Sequence, residues 1–169
     1  ATMLKRLCKI DGIQWLRLHY LYPDAFDDEL IDTIASEPKI LHYLDIPIQH
    51  INDGILNAMN RRGTGAEIRE LFSKLRERMP DVVLRTSLIT GLPGEGEGEF
   101  EELCEFLRCA KIQRAGVFPF YPEDGTPAAA MEHVDFETAQ HRANLVMGIQ
   151  AQVMEDFSAS LIGETLDVL

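Results

Sequence analysis

Residues 82–98 read VVLRTSLITGLPGEGEG. The first half, 82–90, is rich in apolar and β-branched side chains, which predicts a strand. It runs into a glycine-rich turn, Gly91–Gly98. Glu99–Ala110 then places Phe100, Leu103, Phe106 and Leu107 at helical spacing. A near-continuous apolar strand followed by a turn and an amphipathic helix is the unit from which parallel sheets are built.

Working outward, the unit recurs. Upstream, 40–48 (ILHYLDIPI) predicts a strand, Asp53–Asn60 a short helix, Arg61–Gly65 a loop, and Ala66–Met79 a helix stopped by Pro80. Before that, 14–22 (QWLRLHYLY) predicts a strand closed by Pro23, and Asp24–Glu37 a helix with acids in its first turn. Downstream, 115–121 (AGVFPFY) predicts the fourth strand. Asp135 then caps a long helix to about Leu161, with Leu145, Ile149, Val153, Phe157 and Leu161 as its expected apolar stripe. The fold class is α/β, with four parallel strand–helix units. A complete (β/α)8 barrel needs eight. A small doubly wound sheet and part of a larger barrel both remain open at this level.

Composition narrows the class. The chain has 169 residues, 46% hydrophobic and 26% charged, which is globular and not disordered. A net charge of −12 argues against a general nucleic-acid surface, which needs a basic footprint. Ten acids fall in residues 95–135 against Arg108, Lys111 and Arg114, so this end is expected to face a basic partner. There is no apolar run near the ~20 residues of a membrane span, and the N-terminal residues do not fit a secretory signal. The expected compartment is the cytoplasm. Cys8, Cys104 and Cys109 form no CxxC or other metal-ligand spacing, so no metal site is expected within the chain.

Polar residues inside the apolar strands are the candidates for chemistry, because a buried charge needs a partner or a ligand. By parity Arg17 and His19 share a face, as do Asp45, Pro47 and Gln49, and Arg85 and Ser87. Arg17 with Asp45 is the expected cross-strand ion pair. Gln49 and His50 fall at the carboxyl end of the second strand, where parallel α/β folds place their sites, and Arg62 lies in the loop that follows. The GLPGE turn lacks the lysine and Ser/Thr of a phosphate loop. Its glycines permit close backbone approach to a ligand, with Glu95 near the next helix start.

Four segments in combination carry a family resemblance: WLRLHYLYP (15–23), YLDIPIQH (43–50) with MNRRG (59–63), LRTSLITGLPGE (84–95) and FPFYPEDGTPA (118–128). Together they resemble the radical-SAM methylthiotransferases, and among these the RimO branch, which attaches a methylthio group to an aspartate of a small-subunit ribosomal protein. The resemblance implies a partial TIM-like barrel of six strands, of which this chain supplies the third to the sixth over residues 1–162. Residues 163–169 resemble the opening strand of a following TRAM domain. Gln49, His50, Arg62, Arg85, Ile89, Gly91 and Glu95 fall at positions resembling the family's S-adenosylmethionine site.

For the parent enzyme the resemblance implies S-adenosylmethionine and two 4Fe–4S clusters, a radical route to the β-carbon of the target aspartate, and a basic ribosomal protein as substrate. Direct nucleic-acid and membrane partners are not implied. The CxxxCxxC motif that ligates the radical-generating cluster precedes this stretch in the family. The chain alone is therefore expected to be inactive and to hold no catalytic residue. Two alternatives remain: a tRNA-modifying enzyme of the MiaB branch, against which His50 after Gln49 and the Tyr20–Pro23 strand end both weigh, and an α/β binding module without redox chemistry.

Overall fold

The computed structural model describes residues 1–166. Its sheet has four parallel strands, β1 (Leu16–Leu18), β2 (Ile40–Asp45), β3 (Val83–Thr90) and β4 (Arg114–Pro119), in the order β1-β2-β3-β4. The sequential order separates the two architectures left open by the sequence. Parallel crossovers are right-handed, so successive strands added in one direction put every connecting helix on the same face. A doubly wound sheet needs a reversal of strand order, and none occurs among these four strands. The chain is a segment of a barrel wall.

The helices are α1 (Thr2–Cys8), α2 (Asp28–Ser36), α3 (Asp53–Ala58), α4 (Gly65–Arg78), α5 (Glu97–Ala110) and α6 (Phe136–Ser160). Their apolar sides meet the alternate residues of the sheet that point toward them. Leu44, Ile46, Ile48, Leu84 and Leu88 pack with Ile68, Phe72, Leu75, Leu103 and Leu107 in one core. Strand β3 alternates strictly, with Leu84, Thr86, Leu88 and Thr90 buried and Val83, Arg85, Ser87 and Ile89 half-exposed on the other face. That second, open face carries the site.

Helix ends follow their local chemistry. Asp27 caps α2 through Leu30 N–H and Asn52 caps α3 through Ile55 N–H. Thr64 and Glu67 close a capping box on α4, and Asp135 caps α6 through Thr138 N–H. Lys74 with Asp28 and Arg78 with Asp32 tie α4 to α2 across exposed surface.

Three expectations need correction, and one element is new. The first strand is three residues long, because Tyr20 takes a left-handed φ of 59° and ends the extended run, although Leu21 N–H still reaches Asp45 O. The N-terminal residues, for which no element was expected, form α1. Arg17 does not pair with Asp45. Its guanidinium stacks 4.0 Å over the Tyr43 ring, and Asp45 pairs with Arg85, its direct register partner on β3. The stripe expected on α6 is also displaced. Its buried side is Ala139, Arg142, Ala143, Val146 and Gln150, while Leu145 is 47% exposed. A strict four-residue step overshoots a 3.6-residue turn by about 40° each time, so it winds off the buried face.

Of the strand expected at 163–169, Gly163–Leu166 carries no strand assignment. The remainder, 167–169, lies outside the described residues.

Candidate functional site

The strands' carboxyl ends converge on a rim built from the end of β2, the glycine turn after β3, and the segment after β4. Past Asp45, β2 cannot continue its ladder regularly because Pro47 has no N–H to donate. The chain nevertheless stays beside β3. Ile46 N–H reaches Arg85 O, Gln49 N–H reaches Ser87 O at 2.9 Å, and Gln49 O accepts from Ile89 N–H at 2.8 Å. Gln49 is thereby clamped to β3 on both sides while holding a left-handed φ of 70°. A non-glycine residue kept in that conformation by two backbone hydrogen bonds is the kind of over-determined strain that gathers at functional sites.

The glycine turn is anchored from behind. Gly91 has a φ of 77°, and a Cβ there would lie 2.4 Å from Ala139 Cβ on α6, so only glycine lets helix and turn approach this closely. Gly91 N–H donates to Glu95 Oε1 at 2.8 Å. Arg142 Nη1 donates to the same oxygen and to the Glu95 carbonyl, both at 2.9 Å, and Nη2 reaches Glu97 Oε1 at 2.7 Å. Desolvation works against the charge on Arg142, but its bonds to Glu97 and Glu95 outweigh that and hold its pKa above the ordinary value. Thr90 Oγ1 donates to Ala139 O and adds a third tie to α6.

His50 completes this buried group. Its Nδ1 accepts from Asn52 N–H at 3.1 Å, which assigns the ring proton to Nε2. Nε2 lies 3.4 Å from Glu95 Oε2, and both side chains have zero exposure. Neither atom has a hydrogen-bond partner, so the two meet in the interior without a bond between them. His50 and Glu95 thus face each other behind the turn, which Glu95 ties through Gly91 N–H. They do not present their side chains to the open face.

On that face, Ile89 lies beside Phe118 in register and Ser87 beside Gly116. Arg85 stands four residues before Ile89, about 13 Å down the strand. Its Nη1 lies 2.7 Å from both oxygens of Asp45, and its side chain stays 40% exposed. His19 Nδ1, just past the end of β1, approaches Asp45 at 3.7 Å.

Of the seven candidate residues, the structure brings Gln49, Ile89 and Gly91 together at the rim. It places Arg85 on the same face further down, and buries His50 and Glu95 beneath the turn. Arg62 is not in this group. It is exposed and lines an outer groove with Pro23, Asp24 and Lys74. The arginine that reaches the rim is Arg61, whose Nη2 donates to Pro47 O at 2.6 Å and whose guanidinium lies 5.5 Å from the Tyr22 ring. Local pattern does not separate the two adjacent arginines of MNRRG, and it is Arg61, not the expected Arg62, that the loop turns toward the rim. Arg142 was missed because the α6 stripe was misphased.

The arrangement suits a small polar ligand laid along an open sheet face, with backbone groups of the glycine turn at one end and a guanidinium toward the other. It does not suit an iron–sulfur cluster. Cys8 and Cys104 are buried, Cys109 is exposed, and among the described residues no three His, Cys, Asp or Glu side chains converge as metal ligands. No helix of the described residues is long and apolar enough to cross a membrane.

A sequential parallel sheet with helices on one face and a glycine turn after its third strand is the wall of a radical-SAM barrel, and the chain belongs to the Radical SAM superfamily, whose model matches residues 1–107. The more particular likeness is to proteins named ribosomal protein uS12 methylthiotransferase RimO. The one from Anaeromyxobacter sp. (strain Fw109-5) is 47% identical over 168 residues, covering 99% of this chain and 36% of that protein. The one from Geobacter sulfurreducens is 50% identical over 153 residues, covering 90% and 34%. The chain therefore spans little more than a third of the length of these relatives. Among solved structures, coproporphyrinogen III oxidase (HemN) from Escherichia coli, a radical SAM enzyme, superposes with a TM-score of 0.69 at 17% identity, over 90% of this chain and 37% of that one. That likeness concerns the fold alone.

Proposed function

We propose that this chain is the cofactor-positioning wall of a methylthiotransferase acting on ribosomal protein uS12. The observation that carries the reading is the identity of 47% with a uS12 methylthiotransferase along 99% of the chain, rim included. In this reading residues 1–162 are the later strands of the barrel and 163–169 open a TRAM domain. The parent works in the cytoplasm with S-adenosylmethionine and two 4Fe–4S clusters.

S-adenosylmethionine, when bound beside a reduced cluster, supplies the radical chemistry of the family. The chain's own residues bind and orient. Gln49 and the Gly91 turn offer fixed backbone and amide groups at the rim, Ile89 offers an apolar contact, and Arg85 offers a cation for a carboxylate. Glu95 and Arg142 hold the turn in place, with His50 packed against Glu95. Asp45 holds the Arg85 guanidinium by its carboxylate.

The test is mass spectrometry of uS12 after incubation with the full-length protein under anaerobic, reducing conditions. The expected product is aspartate carrying a methylthio group in place of one hydrogen. Methylthiolated tRNA with unmodified uS12 would assign the parent to the tRNA branch instead. A stoichiometric 4Fe–4S spectrum after iron and sulfide reconstitution of this chain alone would contradict its role as a wall without cluster ligands.

A further inference from the structure

The segment after β4 carries a surface that the glycine turn and the sheet do not explain. From residue 115 to residue 141 the sequence contains no lysine or arginine, while Glu123, Asp124, Glu132, Asp135 and Glu137 all fall within it. The salt bridges among the described residues leave Glu123, Asp124, Glu132 and Glu137 without a cation. The same segment displays its aromatics. Tyr121 is 74% and Phe136 51% exposed, and their rings meet edge to face at 6.1 Å in the open. Phe118, 57% exposed, stands near the end of β4.

This surface is held in place. Phe120 N–H donates to Thr90 O at 2.7 Å, Thr126 Oγ1 closes on Glu123 O at 2.7 Å, and Val134 packs against Gly91. It is therefore continuous with the rim of the candidate site. Exposed aromatics rimmed by uncompensated acids form a surface for a cationic polypeptide, because lysine and arginine can lie over the ring faces while their charges meet the carboxylates. Nucleic acid would be repelled, and so would a second copy of this chain, whose net charge is −12.

We propose that the Tyr121–Phe136 rim and its acids Glu123, Asp124 and Glu137 dock the basic polypeptide substrate and deliver it to the open face. That the polypeptide is a substrate, and that it is uS12, rests on the function proposed above. The experiment measures binding by fluorescence anisotropy with three probes: a labelled Lys/Arg-rich glycine–serine peptide, purified uS12, and tRNA. The variants are Tyr121→Ala/Phe136→Ala and Glu123→Lys/Asp124→Lys, with circular dichroism to confirm folding. The charge-reversed pair touches only exposed side chains and carries the test if the aromatic pair unfolds.

The expected result is that each double variant binds the peptide and uS12 at least about fivefold more weakly. The salt dependence of binding should flatten only in the charge-reversed pair. Retention of affinity within about twofold by both variants would overturn the surface, as would tRNA binding in preference to the peptide or failure of the unaltered chain to bind the peptide. If the peptide is bound through the rim and uS12 is not, the surface stands and the uS12 reading falls. If uS12 is bound equally by every variant, the surface falls and the uS12 reading stands.

Discussion

Removing the guanidinium of Arg142 isolates a carboxylate. In Arg142→Met the Glu95 side chain keeps its zero exposure and its bond from Gly91 N–H, but its other close polar neighbour is His50 Nε2 at 3.4 Å, which lacks hydrogen-bond geometry. Breaking a buried pair by removing one partner leaves an uncompensated charge and costs ~3–5 kcal/mol. Glu95→Gln keeps an oxygen for Gly91 N–H and leaves Arg142 its bonds to the residue-95 carbonyl and to Glu97, so its cost should be near ~1–2 kcal/mol. The double variant removes both charges together and should fall short of the summed single costs by ~1–3 kcal/mol. The assay is urea unfolding followed by circular dichroism, with midpoint and slope fitted for all four proteins. A single Arg142→Met cost below ~1 kcal/mol, or a coupling indistinguishable from zero, would refute the claim that Glu95 and Arg142 act as one buried unit.

Three further outcomes follow from the same geometry. Gly91→Ala should destabilise the chain by ~2–5 kcal/mol, combining ~1–2 for a left-handed backbone and ~1–3 for overpacking against Ala139, readable in the urea midpoint. Asp135→Ala should lower the melting temperature at pH 7 and lose that effect in acid. The Thr138 backbone N–H and hydroxyl hold the Asp135 carboxyl below its ordinary 3.8, so the cap's contribution is present above that value and disappears as pH falls through the lower native one. Native alkylation should label Cys109 and spare the buried Cys8 and Cys104. Because the Glu105 carboxylate that accepts from the Cys109 thiol raises its pKa, Glu105→Gln should speed labelling at neutral pH, as peptide mass mapping would show.

The strand–helix alternation, the glycine turn and the position of Gln49 at a strand end were legible because each depends on local pattern: apolar runs, breakers and parity. Barrel wall against doubly wound sheet was not legible from that pattern, since both use the same unit. Only the order of strands in space separates them. The site divided in the same way. Strand parity nominated Arg85 and Gln49 and the glycine turn nominated Glu95, yet Asp45 found Arg85 rather than Arg17, because register places Asp45 directly opposite Arg85. Arg61 rather than Arg62 reaches the rim, because the loop turns one of two identical neighbours inward. Arg142 entered the site only through the packing of α6 on Gly91, a contact between residues 48 positions apart. By itself the sequence determined the strand–helix alternation from the first strand to the last helix, though not α1 or the short β1, because that alternation follows from short-range sterics and periodicity. The tertiary structure decided which charges are paired and which face is open, because both depend on distances between residues that the chain separates by dozens of positions.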